Sequence, residues 1–217
     1  MSESGTSQRA RGGLADKRRA ILAGALRVFA RDGYTRASVD AIAAEAGVST
    51  RTIYNHFADK AELFGVVIQE SAARAAEVQV AIIERHLAKI LDLEEDLIAF
   101  GLEFAVLPDG YAEHFALVRQ IRAEAEHIPD DAITAWQETG PRHVRRVLGR
   151  HLAAAQDRGL LRIGSPELAA SQLMSLLSIV NPTYLGARPS HDEIVRIVTA
   201  GVHVFLHGYL PPTGESR

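Results

Sequence analysis

Between Ser38 and Asn55 the chain starts a helix, stops it and starts another, and few architectures accommodate that order of events. Ser38 can cap the first of these helices, and Asp40 lies in its first turn, where the helix dipole favours an anion. Val39, Ile42 and Ala43 recur at helical spacing before Gly47 ends the segment. Ser49 then caps a short helix carrying Thr50, Arg51, Thr52, Ile53, Tyr54 and Asn55. Two short helices joined by Ala46-Gly47-Val48-Ser49 have the form of a helix-turn-helix. A major groove about 12 Å wide admits one helix, and a tight turn must hold the preceding helix across it. Here Gly47 supplies the turn, Val48 plugs the gap between the helices and Ser49 caps the reader helix. The reader's open face offers hydroxyls, an amide and a guanidinium fork (Thr50, Thr52, Asn55 and Arg51), groups suited to base edges and phosphates. Tyr54, His56 and Lys60 follow, each able to donate to the DNA backbone, although Tyr54 could equally be core and His56 a surface histidine; Phe57 reads as core. Two helices around a glycine also occur in ordinary α-proteins, so this pattern alone leaves a plain helical hairpin open.

The flanking sequence extends the same style. Residues 1–14 are rich in Ser, Gly and Arg and are expected to be an unstructured tail. From Asp16 a helix is expected, with Leu22, Ala25, Leu26 and Phe29 at i, i+3, i+4 and i+7, stopped by Gly33. Asp59 with Glu62 resembles a capping box opening a fourth helix through Leu63, Val66 and Val67 to about Arg85. Beyond it the spacing predicts long helices only, over 85–106, 112–127, 131–157 with a break at Gly140-Pro141, 166–179 and 191–206. Clean two-residue alternation is missing, so the fold class is all-α.

Charge points the same way only when the chain is divided. The whole carries a net charge of −3, which argues against a nucleic-acid partner. Residues 1–60, however, hold ten Lys or Arg against six Asp or Glu, and the remainder fourteen against twenty-one. A basic end on an acidic body suits a protein that meets phosphate at one end, although scattered surface charge would look similar. There is no cysteine, hence neither a disulfide framework nor a thiolate metal site, which fits a reducing cytoplasm. No signal-peptide pattern and no apolar run of about 18 residues is present, so a cytoplasmic location without membrane contact is expected.

The stretch from Ile21 to Leu63, including SVDAIAAEAGVSTRTIYNHFADKAELF, resembles the DNA-binding domain of the TetR family of bacterial repressors. The likeness runs through Ile21, Ala25, Phe29, Gly33 and Tyr34, then Ile42-Ala43, Gly47-Val48-Ser49, Ile53-Tyr54, His56-Phe57, Lys60 and Leu63. It implies a tail over 1–14, a three-helix DNA-binding domain over 15–62, and a helical effector-binding and dimerisation domain over 63–210 reached through the long fourth helix. It implies base or phosphate contacts from Ser49, Arg51, Thr52 and Tyr54, and phosphate contacts from Thr35, Ser38, His56 and Lys60. Thr50 joins them by its place on the reader helix. The partners implied are a near-palindromic double-stranded operator, a second copy of the chain, and a small effector that releases DNA by moving the fourth helix. The segments Arg158–Leu161 and Phe205–Tyr209 look most like regulators of efflux and stress genes.

An effector site is expected among the middle helices, lined by Phe100, Phe104, Phe115, Trp136 and Met174, each of which could be plain core instead. No buried charge stands out as a ligand partner, so a largely apolar effector is favoured. Ile194, Ile197, Val198, Gly201 and Phe205 form one apolar stripe, joined by Leu173 and Leu176 from the preceding helix. Periodicity leaves that stripe open between intramolecular core and dimer seam, and the resemblance favours the seam. His203 and His207 stand at i, i+4, a spacing that can hold an ion, but hydrogen-bonding or packing roles suit them better, so no metal or other cofactor is expected. No phosphate-cradling loop, nucleophile elbow or acid–base pair is found, and no enzyme activity is expected.

Overall fold

The computed structural model describes residues 4–106, 110–178 and 189–209, with side chains from Leu14 onward. Residues 1–3 of the expected tail, and the expected ends at Ile179 and Leu210, lie outside them. Among the described residues all regular structure is helical: α1 Ser4–Arg36, α2 Val39–Ala46, α3 Thr50–Tyr54, α4 Lys60–Leu87, α5 Leu93–Ala105, α6 Ala112–Ala123, α7 Asp130–Thr139, α8 Pro141–Asp157, α9 Pro166–Leu176 and α10 His191–Tyr209. A single 3-10 turn, Ala125–His127, follows α6. No helix among the described residues is long and apolar enough to cross a membrane.

The chain divides into two compact units whose bounds differ from 15–62 and 63–210. One unit comprises residues 1–75 and 109–140, the other 76–108 and 141–217. The reason lies in the core. Ile21, Val28 and Phe29 of α1, Ile42 of α2, Ile53 of α3 and Leu63, Phe64 and Ile68 of α4 are buried together, and Leu117 and Ile121 of α6 with Ile128 complete the cluster. A three-helix domain ending at residue 62 would leave that apolar surface wet, because small domains bury too little of their own surface. Phe64 sits at the centre, edge-on to Phe29 at 4.9 Å and tilted against Tyr34 at 4.8 Å, an aromatic geometry worth about 1 kcal/mol beyond burial.

The second unit has its own core, with Ile82, Ile83 and Leu87 of α4, Leu97 and Phe100 of α5, Val144, Leu148 and Leu152 of α8, Leu173 of α9 and Val198, Val202 and Phe205 of α10. Helix α4 is unbroken and gives its first half to one core and its second half to the other. It is not the sole covalent link, since the chain passes between the units at 108–109 and 140–141 as well.

Helix α1 begins at Ser4, inside the stretch expected as a tail. One expectation about a helix end is corrected. The helix expected over 85–106 is interrupted after Leu87, because Asp92 caps α5 by accepting from the Glu95 amide at 2.9 Å. Carbonyls around the link are also met by distant side chains, with His151 Nδ1 3.1 Å from the Leu87 carbonyl oxygen and Arg158 donating to the Ile90 carbonyl at 2.9 Å.

Candidate nucleic-acid interface

Local backbone rules build the α2–α3 corner. Ser38 is extended and its hydroxyl accepts from the Ala41 amide at 3.1 Å, satisfying one free donor at the start of α2. Gly47 ends α2 in the left-handed region at φ 65°, and the Val48 amide returns to the Ala43 carbonyl at 3.0 Å. Ser49 repeats the cap on α3, accepting from the Thr52 amide at 3.2 Å and sharing a 2.9 Å hydrogen bond with the Thr52 hydroxyl. Ile53 and Phe57 are buried in the unit's core and Val48 packs against it, so the opposite side of α3 must face water. Ser49, Arg51, Tyr54 and Asn55 are exposed there, Tyr54 at 56%, while Thr50, Thr52 and His56 are half-buried. The Arg51 guanidinium has no ion pair or hydrogen-bond partner among the described residues. An exposed guanidinium and an exposed phenol on one helix face form a surface that can meet base edges or phosphates.

The corner between α1 and α2 is arranged differently. Gly33 has φ 79°, a conformation that L side chains rarely adopt, and a Cβ there would also push aside the Glu124 carboxylate, whose Oε1 would lie 2.4 Å away. The other Glu124 oxygen accepts from the Thr35 amide at 2.8 Å and from its hydroxyl at 3.2 Å. Thr35, expected to face phosphate, thus already donates to a carboxylate. Lys60, also expected to face phosphate, is half-buried with its ammonium 2.9 Å from the Tyr34 carbonyl oxygen, 3.1 Å from that of Ala37 and 3.4 Å from that of Thr35. Its nitrogen also lies 4.7 Å from the centre of the Tyr34 ring. Part of the basic charge of the N-terminal region is likewise turned to protein carboxylates: Arg18 to Glu70, and Arg27 and Arg31 to Glu45.

The expected effector residues do not form one cluster. Phe100 lies in the second unit's core with Phe104 tilted against it at 5.0 Å, and Met174 also packs against that core. Phe115 and Trp136 belong to the first unit, Phe115 at 38% exposure and Trp136 half-buried against its core. A polar pair missed by sequence reasoning lies beside Phe115: the buried Ser71 hydroxyl is 2.9 Å from His114 Nδ1. Burial, and secondarily Arg74, pushes the His114 imidazole down to about 4, so it is neutral at pH 7. Ser71 and His114 are far apart in sequence, and no local pattern marks them as partners.

The expected seam residues mostly face inward. Leu173, Val198, Gly201 and Phe205 are buried within the single chain, and Leu176 and Ile194 are partly buried against the same core. At Gly201 the approach is so close that a Cβ would lie 2.7 Å from the Leu176 carbonyl oxygen. Of the expected set only Ile197 is exposed, and it shares a face of α10 with exposed Ala200 and Val204, at i, i+3 and i+7. His203 pairs with Glu94 at 2.9 Å, and His207 Nδ1 lies 2.7 Å from the His203 carbonyl oxygen. No group of three or more metal-ligating side chains occurs among the described residues.

Residues 21–67 match the model of the tetR family of bacterial regulatory proteins, and residues 95–211 match that of the AefR-like transcriptional repressor C-terminal domain. The repressor AcnR of Corynebacterium diphtheriae is 45% identical over 65 residues, 30% of this chain and 34% of that repressor, so the chain spans about a third of such relatives. A solved structure described as a TetR-family transcriptional regulator from Mesorhizobium loti superposes with a TM-score of 0.79 at 32% identity, covering 91% of this chain and 98% of that one. The flavonoid-responsive regulator FrrA gives a TM-score of 0.68 at 26% identity, with 91% and 98% covered.

Proposed function

Because the chain belongs to the TetR family of bacterial regulatory proteins, a family of DNA-binding regulators and not of enzymes, we propose that it is a homodimeric repressor released from its operator by a small effector. The observation that carries the reading is the α3 surface, where Arg51 and Tyr54 stand exposed on a helix capped at Ser49 and anchored by Ile53. One such helix touches too few base pairs for useful specificity. A two-fold pair of them on a near-palindrome supplies it. The outward face of α10, with Ile197, Ala200 and Val204, and exposed Leu168 of α9 are the surface we assign to the partner copy. Val198, Gly201 and Phe205 hold α10 to its own chain.

A largely apolar, planar aromatic effector suits this chain best. FrrA, to which the chain is similar, is a flavonoid-responsive regulator, and among the described residues no charged group is buried in either core. Electrophoretic shift with the DNA flanking the gene tests the first half of the reading. Titration of the shifted complex with a flavonoid panel tests the second. A protein that shifts no DNA at any salt concentration loses the repressor assignment, and one whose complex ignores every effector loses the release step.

A further inference from the structure

We propose that Lys60 is a positioning residue that shapes the corner between α1 and α2 and makes no phosphate contact of its own. An ammonium has three protons, and Lys60 has three carbonyl oxygens within reach, those of Tyr34, Thr35 and Ala37. These belong to the stretch where α1 ends and α2 begins, and terminal helical carbonyls have no partner within their own helix. A phosphate that drew the ammonium away would exchange all three of these contacts for water.

Its place in the fold supports the same conclusion. Lys60 is the first residue of α4, where the helix dipole disfavours a cation. The three carbonyls and the Tyr34 ring, 4.7 Å from the nitrogen, are what hold a positive charge there. Glu124 completes the arrangement by accepting from the Thr35 amide. A cation on the carbonyl side and an anion on the amide side fix residues 34–37, and with them Arg36 and Ser38, both exposed in the same corner. Lys60 acts on DNA through those residues.

The test compares Lys60→Met and Lys60→Arg with the unaltered protein on a duplex selected by that protein from a random pool, across a series of salt concentrations. Lys60→Met is expected to bind about tenfold more weakly, the factor that loss of one hydrogen-bonded group makes in a binding constant. The slope of log affinity against log salt should be unchanged, because no phosphate contact has gone. Lys60→Arg should bind as weakly, since a planar fork cannot reach three convergent carbonyls. A slope smaller by about 0.9, with affinity rescued by arginine, is the signature of a phosphate contact and overturns the proposal. Reduced thermal stability with unchanged affinity overturns it too, leaving Lys60 a stabilising residue only. Should the variants fail to fold, the ¹⁵N resonance of the Lys60 ammonium in the unaltered protein decides: it should stay in place as duplex is added, and a shift on binding refutes the proposal.

Discussion

The α2–α3 corner and the α9–α10 pair make an instructive contrast, because sequence pattern marks both and only the first turns its marked residues outward. At the corner the caps Ser38 and Ser49, the left-handed Gly47 and the core plug Ile53 fix which side of α3 meets water. On α10 the apolar stripe through Val198, Gly201 and Phe205 is consumed by the same chain, and the outward apolar face lies one residue round, at Ile197, Ala200 and Val204. Caps and turns are local, so a segment carries its own geometry. An apolar stripe states only that something will cover it, and the nearest helix of its own chain does so first.

Substitution on the two sides of α10 sharpens the contrast and is expected to have the largest effect. Gly201→Arg brings a Cβ to 2.7 Å from the Leu176 carbonyl oxygen and a charge into the core, so a loss of about 4 kcal/mol or more is expected, read as failure of the second unit to melt cooperatively. Ala200→Arg, on the exposed face, should leave the melt nearly unchanged and convert the proposed dimer to monomer in sedimentation. Unfolding by both, or by neither, would erase the distinction between the two faces.

The next effect concerns a half-buried imidazole in the first unit. His114 is held at about 4 against an ordinary 6.5, so the unfolded chain binds more protons between those values. No penalty acts above about 6.5; stability falls as the pH drops through the window, by about 3 kcal/mol in all, and the loss is complete below about 4. His114→Gln should flatten that part of the pH–stability curve measured by urea titration. An unchanged curve would show that the imidazole titrates normally.

Arg51→Ala is smaller in free energy but more diagnostic of the corner. It should cost ~1–3 kcal/mol of operator binding and relax preference at one base pair of each half-site. Equal affinity and preference for wild type and variant would remove Arg51 from the reading surface.

How much of this was legible follows sequence separation. The caps at Ser38 and Ser49, the Gly47 turn and buried Phe57 rest on contacts within a few residues, and the sequence states them directly. The Asp92 cap was equally local, since Asp92-Leu93-Glu94-Glu95 is a capping-box pattern, but it was hidden by apolar spacing that runs across the break. Glu124 lies 89 residues from Thr35, and nothing near either residue announces their hydrogen bond. The same holds for the carbonyls around Lys60, because backbone oxygens carry no sequence signature. The assignment of α6 and α7 to the first unit was illegible for a related reason: Leu117 and Ile121 read as generic helix core until the space above Phe29 and Phe64 is known.

The smallest effect tests whether charge or packing holds the corner. Arg27 of α1 donates to Glu45 of α2 at 2.6 Å, with the side chains 42% and 32% exposed. That pair is partly wet and screened, and such pairs measure about 0.2–1 kcal/mol in double-mutant cycles. The same two helices also bury Val28, Phe29 and Ile42, each worth more than the pair when removed from water. A cycle through Arg27→Met and Glu45→Gln is therefore expected to give a coupling of about 0.5 kcal/mol in low salt, shrinking as salt is added. DNA affinity of the double variant should stay within about twofold, because the caps at Ser38 and Ser49 are untouched. A coupling above about 1.5 kcal/mol, or a large loss of binding, would mean that ion pairing between α1 and α2 sets the angle of the reader helix, and the corner would then owe its geometry to distant charge and not to local backbone rules.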